Sequence, residues 1–290
     1  MDFAPRRVSR PARPLPPGAC DAHSHVFGPY ERFPLYSGRR YTPPPAPVAD
    51  YFGMLNLAGF SHGVLVHPSA SGWDCGCTLD ALERGNGRLR GIVVVPPSAS
   101  DAQLQSMHAR GVRGIRFTET GDPSRGPQPA EGVLGLHDLE VFGGRLRELG
   151  WHAQIWAKCE LIVAAAPALL RHDIPLVIDH MGFFDVARGV EGADFQSFLA
   201  LLSDGRFWVK LSACRVSKRL SDCEDVRPFH EALLRTAPDR LLWGSDWPYI
   251  GLDPDPPDVG HLVDLFDAFT GEATLREKIF IRNPAALYGF

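Results

Sequence analysis

Cys20-Asp21-Ala22-His23-Ser24-His25 carries two histidines one residue apart. Side chains two apart on an extended strand share a face, so His23 and His25 project together. Imidazole ligates metal or polarises a carbonyl, which makes this pair a candidate electrophile site. Other polar groups interrupt apolar runs: Ser69 and Ser71, Arg116, His152 and Gln154, Asp179-His180, Lys210 and Arg215, and Ser245-Asp246. Polar groups in such runs are costly unless paired or used. If they converge, His23, His25 and His180 would face the Asp246 carboxylate. Asp179 reads as support for its neighbours. Arg116, Arg125 and Arg215 would suit carboxylate groups through paired hydrogen bonds. Hydroxyl contacts would come from Ser69, Ser71, Tyr41 and Tyr249, and an amide contact from Gln154.

The elements that must position these groups alternate between two patterns. Short apolar runs at 19–25, 63–67, 89–95, 112–117, 151–156, 174–180, 207–211 and 240–244 read as strands. Helical stretches follow at 48–58, 79–84, 101–110, 138–149, 160–170, 194–202, 225–235, 257–269 and 272–280, several stopped by glycine. Asp101 is the expected N-cap of its helix. Near-continuous apolar strands are those buried on both faces. Eight βα units predict an α/β fold, a single-domain (β/α)8 TIM barrel over 19–290, preceded by a flexible Pro-rich N-terminal arm at 1–18. An open doubly wound sheet is the alternative, but no Gly-rich nucleotide turn follows the first strand. In a barrel the polar residues above fall at the C-terminal ends of strands, where active sites sit. The aromatic loop at 27–47 holds Tyr36, Arg39, Arg40 and Tyr41, which can reach over a pocket.

The 290 residues are 44% hydrophobic and 22% charged, with net charge −4. This is an ordinary soluble composition with no basic surface for nucleic acid and no apolar run long enough for a membrane. The six cysteines are scattered apart from Cys75-Gly76-Cys77, which lacks a second pair at zinc-site spacing. They are expected as reduced thiols, Cys75 and Cys77 in a loop, in a cytoplasmic protein. Oligomeric state, monomer or homodimer, is left open.

Asp-Ala-His-Ser-His on strand one, Ile-Asp-His-Met-Gly on strand six and Gly-Ser-Asp-Trp-Pro on strand eight resemble the amidohydrolase superfamily. The resemblance extends to the closing Asn283-Pro284-Ala285-Ala286-Leu287-Tyr288-Gly289-Phe290. Within that superfamily the chain is most similar to the lactonase branch typified by 2-pyrone-4,6-dicarboxylate lactonase. The resemblance implies opening of a carboxylated lactone ring by water, with Asp246 as general base and His23, His25 and His180 polarising the carbonyl. It also implies that Arg116 and Arg215, with Arg125 a looser match, hold substrate carboxylates. Binuclear members carry a bridging lysine or glutamate on strand four and a histidine on strand five. Here those strands offer Arg116 and Gln154, so no essential metal is expected. One divalent ion such as zinc on His23, His25 and Asp246 is the alternative. Competing readings are a metal-dependent decarboxylase of an aromatic or muconate-type acid, a hydratase or sugar-acid lactonase, and a non-catalytic acid-binding barrel.

Overall fold

The computed structural model describes residues 7–119, 132–252 and 255–290. Eight strands form one sheet in sequence order: β1 (Cys20–Ser24), β2 (His62–Val66), β3 (Leu89–Val93), β4 (Val112–Glu119), β5 (His152–Ala157), β6 (Leu176–Ile178), β7 (Phe207–Leu211) and β8 (Leu241–Trp243). Each pairs in parallel with the next. The first and last strands meet just beyond β8. There the Asp246 amide donates to the His23 carbonyl at 2.8 Å, and the His25 amide to the Trp247 carbonyl at 2.8 Å. The sheet is therefore a (β/α)8 barrel and not an open sheet.

The crossover helices are α1 (Val48–Ala58), α2 (Gly76–Arg84), α3 (Asp101–Ala109), α4 (Leu139–Leu149), α5 (Cys159–Leu169), α6 (Ala193–Leu202), α7 (Arg227–Thr236) and α8 (Val259–Thr270), followed by the short α9 (Ala273–Glu277) and α10 (Asn283–Tyr288). The N-cap of α3 is Ser100 and not Asp101. The Ser100 hydroxyl accepts from the Gln103 amide, and the Gln103 side chain accepts from the Ser100 amide, a reciprocal capping box. Cys75 ends the loop before α2 as its N-cap, as expected, whereas Cys77 lies in the first turn of the helix. The last expected helix is broken. Asn283 N–H reaches back five residues to the Lys278 carbonyl through the wide turn Lys278–Arg282. Pro284, which has no N–H to give, then starts α10.

Inside the barrel, Cys20, Ala22, Val64, Val66, Ile92, Val177, Trp208 and Leu242 pack together, with Tyr288 closing the lower end. The His152 ring lies 5.5 Å from that of Tyr288, so the face shared by His152 and Gln154 is the inner one. Filling the interior in this way leaves the polar groups to gather above it, at the C-terminal mouth. Of the N-terminal stretch, Ser9 Oγ donates to Asp258 and the Ala12 amide to Asp264 at 2.7 Å, which lays it against α8. No helix among the described residues is long and apolar enough to cross a membrane.

Candidate active site

The site begins with an irregularity in β1. Cys20 and Ala22 join the lumen cluster, yet His23 also turns inward. The pairing with β2 slips between Asp21 and Ser24, three steps on one strand against two on the other. A bulge of this kind changes which face the following residues occupy. His23 and His25 thus end on the inner side, their ring centroids 5.1 Å apart.

Asp246 enters from the opposite end of the chain. Its Oδ1 lies 3.3 Å from His23 Nε2, 3.3 Å from His25 Nε2 and 3.9 Å from His180 Nε2. Its Oδ2 is ion-paired with Arg215 Nε, and Arg215 Nη1 also donates to the Ile250 carbonyl at 2.6 Å. Burial pushes the Asp246 carboxyl up, but Arg215 and the neighbouring imidazoles outweigh it and hold the group well below the usual carboxylate range. Asp246 (φ 59°) and His180 (φ 48°) both occupy left-handed backbone. That conformation costs a side-chain-bearing residue about 1–2 kcal/mol. Met181 and Phe183 share it (φ 58° and 44°), so a tight turn after β6 aims His180 at the mouth.

A second buried array lies beneath. Asp179 Oδ2 accepts from Arg116 Nε at 3.0 Å and Nη2 at 2.9 Å, and from Gln154 Nε2 at 3.2 Å. Asp179 Oδ1 stands 3.2 Å from His23 Nδ1. Lys210 Nζ donates to Gln154 Oε1 at 2.6 Å and lies 3.3 Å from His23 Nδ1. Burial raises Asp179, but His23, Arg116 and Lys210 prevail and lower it well below its ordinary value. Burial lowers Lys210 to about 8, partly opposed by Asp179. Burial also lowers His180 to about 4, and burial with Lys210 lowers His23 well below 6.5.

Hydrogen placement follows for His25. Its Nδ1 lies 2.7 Å from the Val66 carbonyl, which can only accept, so Nδ1 carries a hydrogen. Nε2 therefore faces Asp246 either as the second N–H of an imidazolium or as a lone pair for an electrophile. Among the described residues, His23 Nε2 and Asp246 Oδ1 are buried without a hydrogen-bond partner. His23, His180 and Asp246 offer ligand atoms within 4.8 Å of one another. Two imidazoles and a carboxylate are a fitting donor set for a divalent ion.

Above these groups opens a cavity of about 470 Å³. His25, His180, Asp246, Arg116, Arg215, Tyr41 and Ser69 all contribute to its wall. Gln154 is fully buried in the array beneath. Ser71 and Tyr249 do not line the cavity. A 3₁₀ turn spaces successive side chains about a third of a revolution apart, so Ser69 and Ser71 point to different sides. Tyr249 sits in a left-handed turn (φ 64°) that carries it into the core, where it is fully buried. Arg125 lies outside the described residues. Several wall residues had no assigned place from sequence: His67, whose Nε2 donates to the Gly72 carbonyl at 2.8 Å, Trp156 and Phe183. Lys210 was readable only as a lone cation in an apolar strand.

The amidohydrolase family profile matches residues 20–290. The chain belongs to the amidohydrolase family. This amidohydrolase is 38% identical over 289 residues to a 4-sulfomuconolactone hydrolase of Rhizobium radiobacter, covering 98% of this chain and 95% of that one. It is 34% identical over 293 residues to a 2-pyrone-4,6-dicarboxylate hydrolase of Comamonas testosteroni, covering 97% and 93%. Among solved structures it is similar to a probable 2-pyrone-4,6-dicarboxylic acid hydrolase from Acinetobacter baumannii with citric acid bound, at TM-score 0.82 and 28% identity, covering 94% and 100%. An amidohydrolase from Burkholderia multivorans with bound zinc shares the fold at TM-score 0.65 and 19% identity, covering 94% and 99%.

Proposed function

We propose that this amidohydrolase opens the ring of an anionic lactone of the 2-pyrone-4,6-dicarboxylate or muconolactone type. The observation that carries the reading is the convergence of three imidazole Nε2 atoms on Asp246 Oδ1 at the floor of an arginine-lined cavity. The names of the relatives above support it.

Asp246 accepts a hydrogen bond from water and orients it toward the lactone carbonyl. Arg215 and the imidazoles keep Asp246 ionised, and it takes the water's proton as the new C–O bond forms. His23, His25 and His180 polarise the carbonyl oxygen and stabilise the charge that develops there. The ring C–O bond then breaks. Protonated Asp246 then returns the proton to the leaving ring oxygen. Arg116 and Arg215, with Tyr41 and Ser69, hold the substrate's carboxylates. A divalent ion, if bound, would be held by His23, His180 and Asp246, with His25 adjacent, and would supply Lewis-acid polarisation of the carbonyl. The proposed reaction has no essential metal, because imidazoles and guanidiniums already surround the reacting position. All six cysteines are free thiols, which suits a reducing, cytoplasmic setting.

The test is hydrolysis of 2-pyrone-4,6-dicarboxylate and 4-sulfomuconolactone beside an uncharged lactone. Ring opening of an anionic lactone with higher kcat/KM is expected. Preference for the uncharged lactone, or release of carbon dioxide, would overturn the reading.

A further inference from the structure

Among the described residues, four guanidiniums line the cavity, those of Arg39, Arg40, Arg116 and Arg215, against the single carboxylate of Asp246. Two of these cations are already engaged with acid groups. Arg116 is committed through two nitrogens to Asp179, and Arg215 to Asp246. Arg39 differs: among the described residues no carboxylate pairs with it. Its own loop holds it instead. Nε donates to Thr42 Oγ1 at 3.1 Å and Nη1 to the Tyr36 carbonyl at 3.1 Å. That loop is docked, since the Tyr36 amide donates to the Ala70 carbonyl at 2.9 Å beside the turn after β2. It is also tightly folded: a side-chain carbon at Gly38 would meet the Tyr36 hydroxyl at 2.6 Å.

A half-buried guanidinium, anchored through two nitrogens and with no acid partner among the described residues, is prepared to receive an anion. Anchoring in advance lowers the ordering cost of binding.

We propose that Arg39 reads a second anionic group on the substrate, carboxylate or sulfonate, and so sets a preference for dianionic over monoanionic ring acids. This rests on the reading of the cavity as the seat of an anionic substrate and names the residue that counts its charges. Arg116 and Arg215, balanced by their aspartates, orient the end of the ring next to Asp246. Arg39 supplies from the β1–α1 loop a charge that no acid offsets among the described residues.

The test uses binding without turnover. Isophthalate is a planar, unreactive dianion with its carboxylates in a 1,3 relation, and benzoate is the matching monoanion. Calorimetric titration of each into the wild-type protein, Arg39→Gln and Arg39→Lys gives the affinity ratio. Wild type should favour isophthalate, less so as salt rises. Arg39→Gln should weaken isophthalate by roughly 10- to 100-fold, the size expected of a hydrogen bond to a charged group, and benzoate far less. Arg39→Lys, which keeps the charge, should recover part of the preference. An equal loss for both ligands, no loss for either, no binding of isophthalate by the wild type, or no recovery in Arg39→Lys would each overturn the inference. Assaying 2-pyrone-4,6-dicarboxylate hydrolysis in parallel separates the two readings. A protein that prefers isophthalate through Arg39 yet opens no lactone retains this inference and loses the hydrolase reading.

Discussion

Asp21 Oδ2 accepts a 2.7 Å hydrogen bond from Ser245 Oγ across 224 positions of sequence. The same carboxylate takes the Ser245 amide at 2.8 Å on Oδ1 and the Tyr51 hydroxyl at 3.2 Å on Oδ2. One buried acid outside the lumen thus fastens β1 to the chain leaving β8, with the His23–His25 pair and Asp246 on either side of the fastening.

Asp21→Ala should leave several buried donors unsatisfied. A loss of about 1–3 kcal/mol per orphaned donor is typical, so the variant should unfold at clearly lower denaturant than wild type. Asp21→Asn keeps an acceptor for the Ser245 amide and should fall between them. Equal midpoints for Asp21→Ala and wild type would remove this residue from barrel closure.

Burial raises the Asp21 carboxyl from 3.8 to about 6. A group raised on folding adds stability below its unfolded value and loses it as pH rises through its folded one. Three buried histidines act oppositely. Burial lowers His67 to about 4, and His152 and His230 to about 3, from 6.5. The unfolded chain binds more protons at those sites from pH 6.5 downward, so their stabilising effect is lost as pH falls through 6.5 toward 3. The histidines outnumber Asp21, and stability should decline between pH 6.5 and 4. Urea titrations across that range check it; a flat or rising trend on acidification is the contrary result.

Asp246→Asn retains shape and removes the proton acceptor. Turnover should fall by roughly 10²–10⁴-fold, the usual contribution of a positioned acid–base group, in a protein that still folds. Near-normal kcat in a folded Asp246→Asn protein would assign the proton transfer elsewhere.

Lys210 is fully buried, with its charge set against Asp179 and Gln154. Lys210→Met removes one of the two full cations facing buried Asp179, leaving it Arg116 with Gln154 and His23, and should cost about 3–5 kcal/mol, as breaking one side of a buried ionic array does. Thermal melts report the loss, and an unchanged Tm would mean that Arg116, Gln154 and His23 satisfy Asp179 without Lys210.

Exhaustive dialysis against a chelator, with elemental analysis before and after, should leave lactone hydrolysis intact. Stoichiometric zinc whose removal abolishes turnover and whose return restores it would install the metal on His23, His180 and Asp246 instead.

Much of the fold was legible in sequence because buried parallel strands and glycine-stopped helices leave local traces. The run Phe207–Leu211 is strand from end to end, and Val48–Ala58 is helix with Gly59 at its left-handed stop. The residue types of the floor, three histidines and Asp246, could be read for the same reason: polar groups stand out in apolar runs. Side-chain direction was not local. The slip in β1 that turns His23 inward, the left-handed turns that aim Asp246 and bury Tyr249, and the division of Ser69 from Ser71 depend on backbone angles that neighbouring elements impose. Nor could sequence tell which arginines would find an acid partner, since all carry the same charge. Only packing sets Arg116 on Asp179 and Arg215 on Asp246 while giving Arg39 no acid among the described residues, because pairing depends on which side chains from distant strands arrive within hydrogen-bond reach.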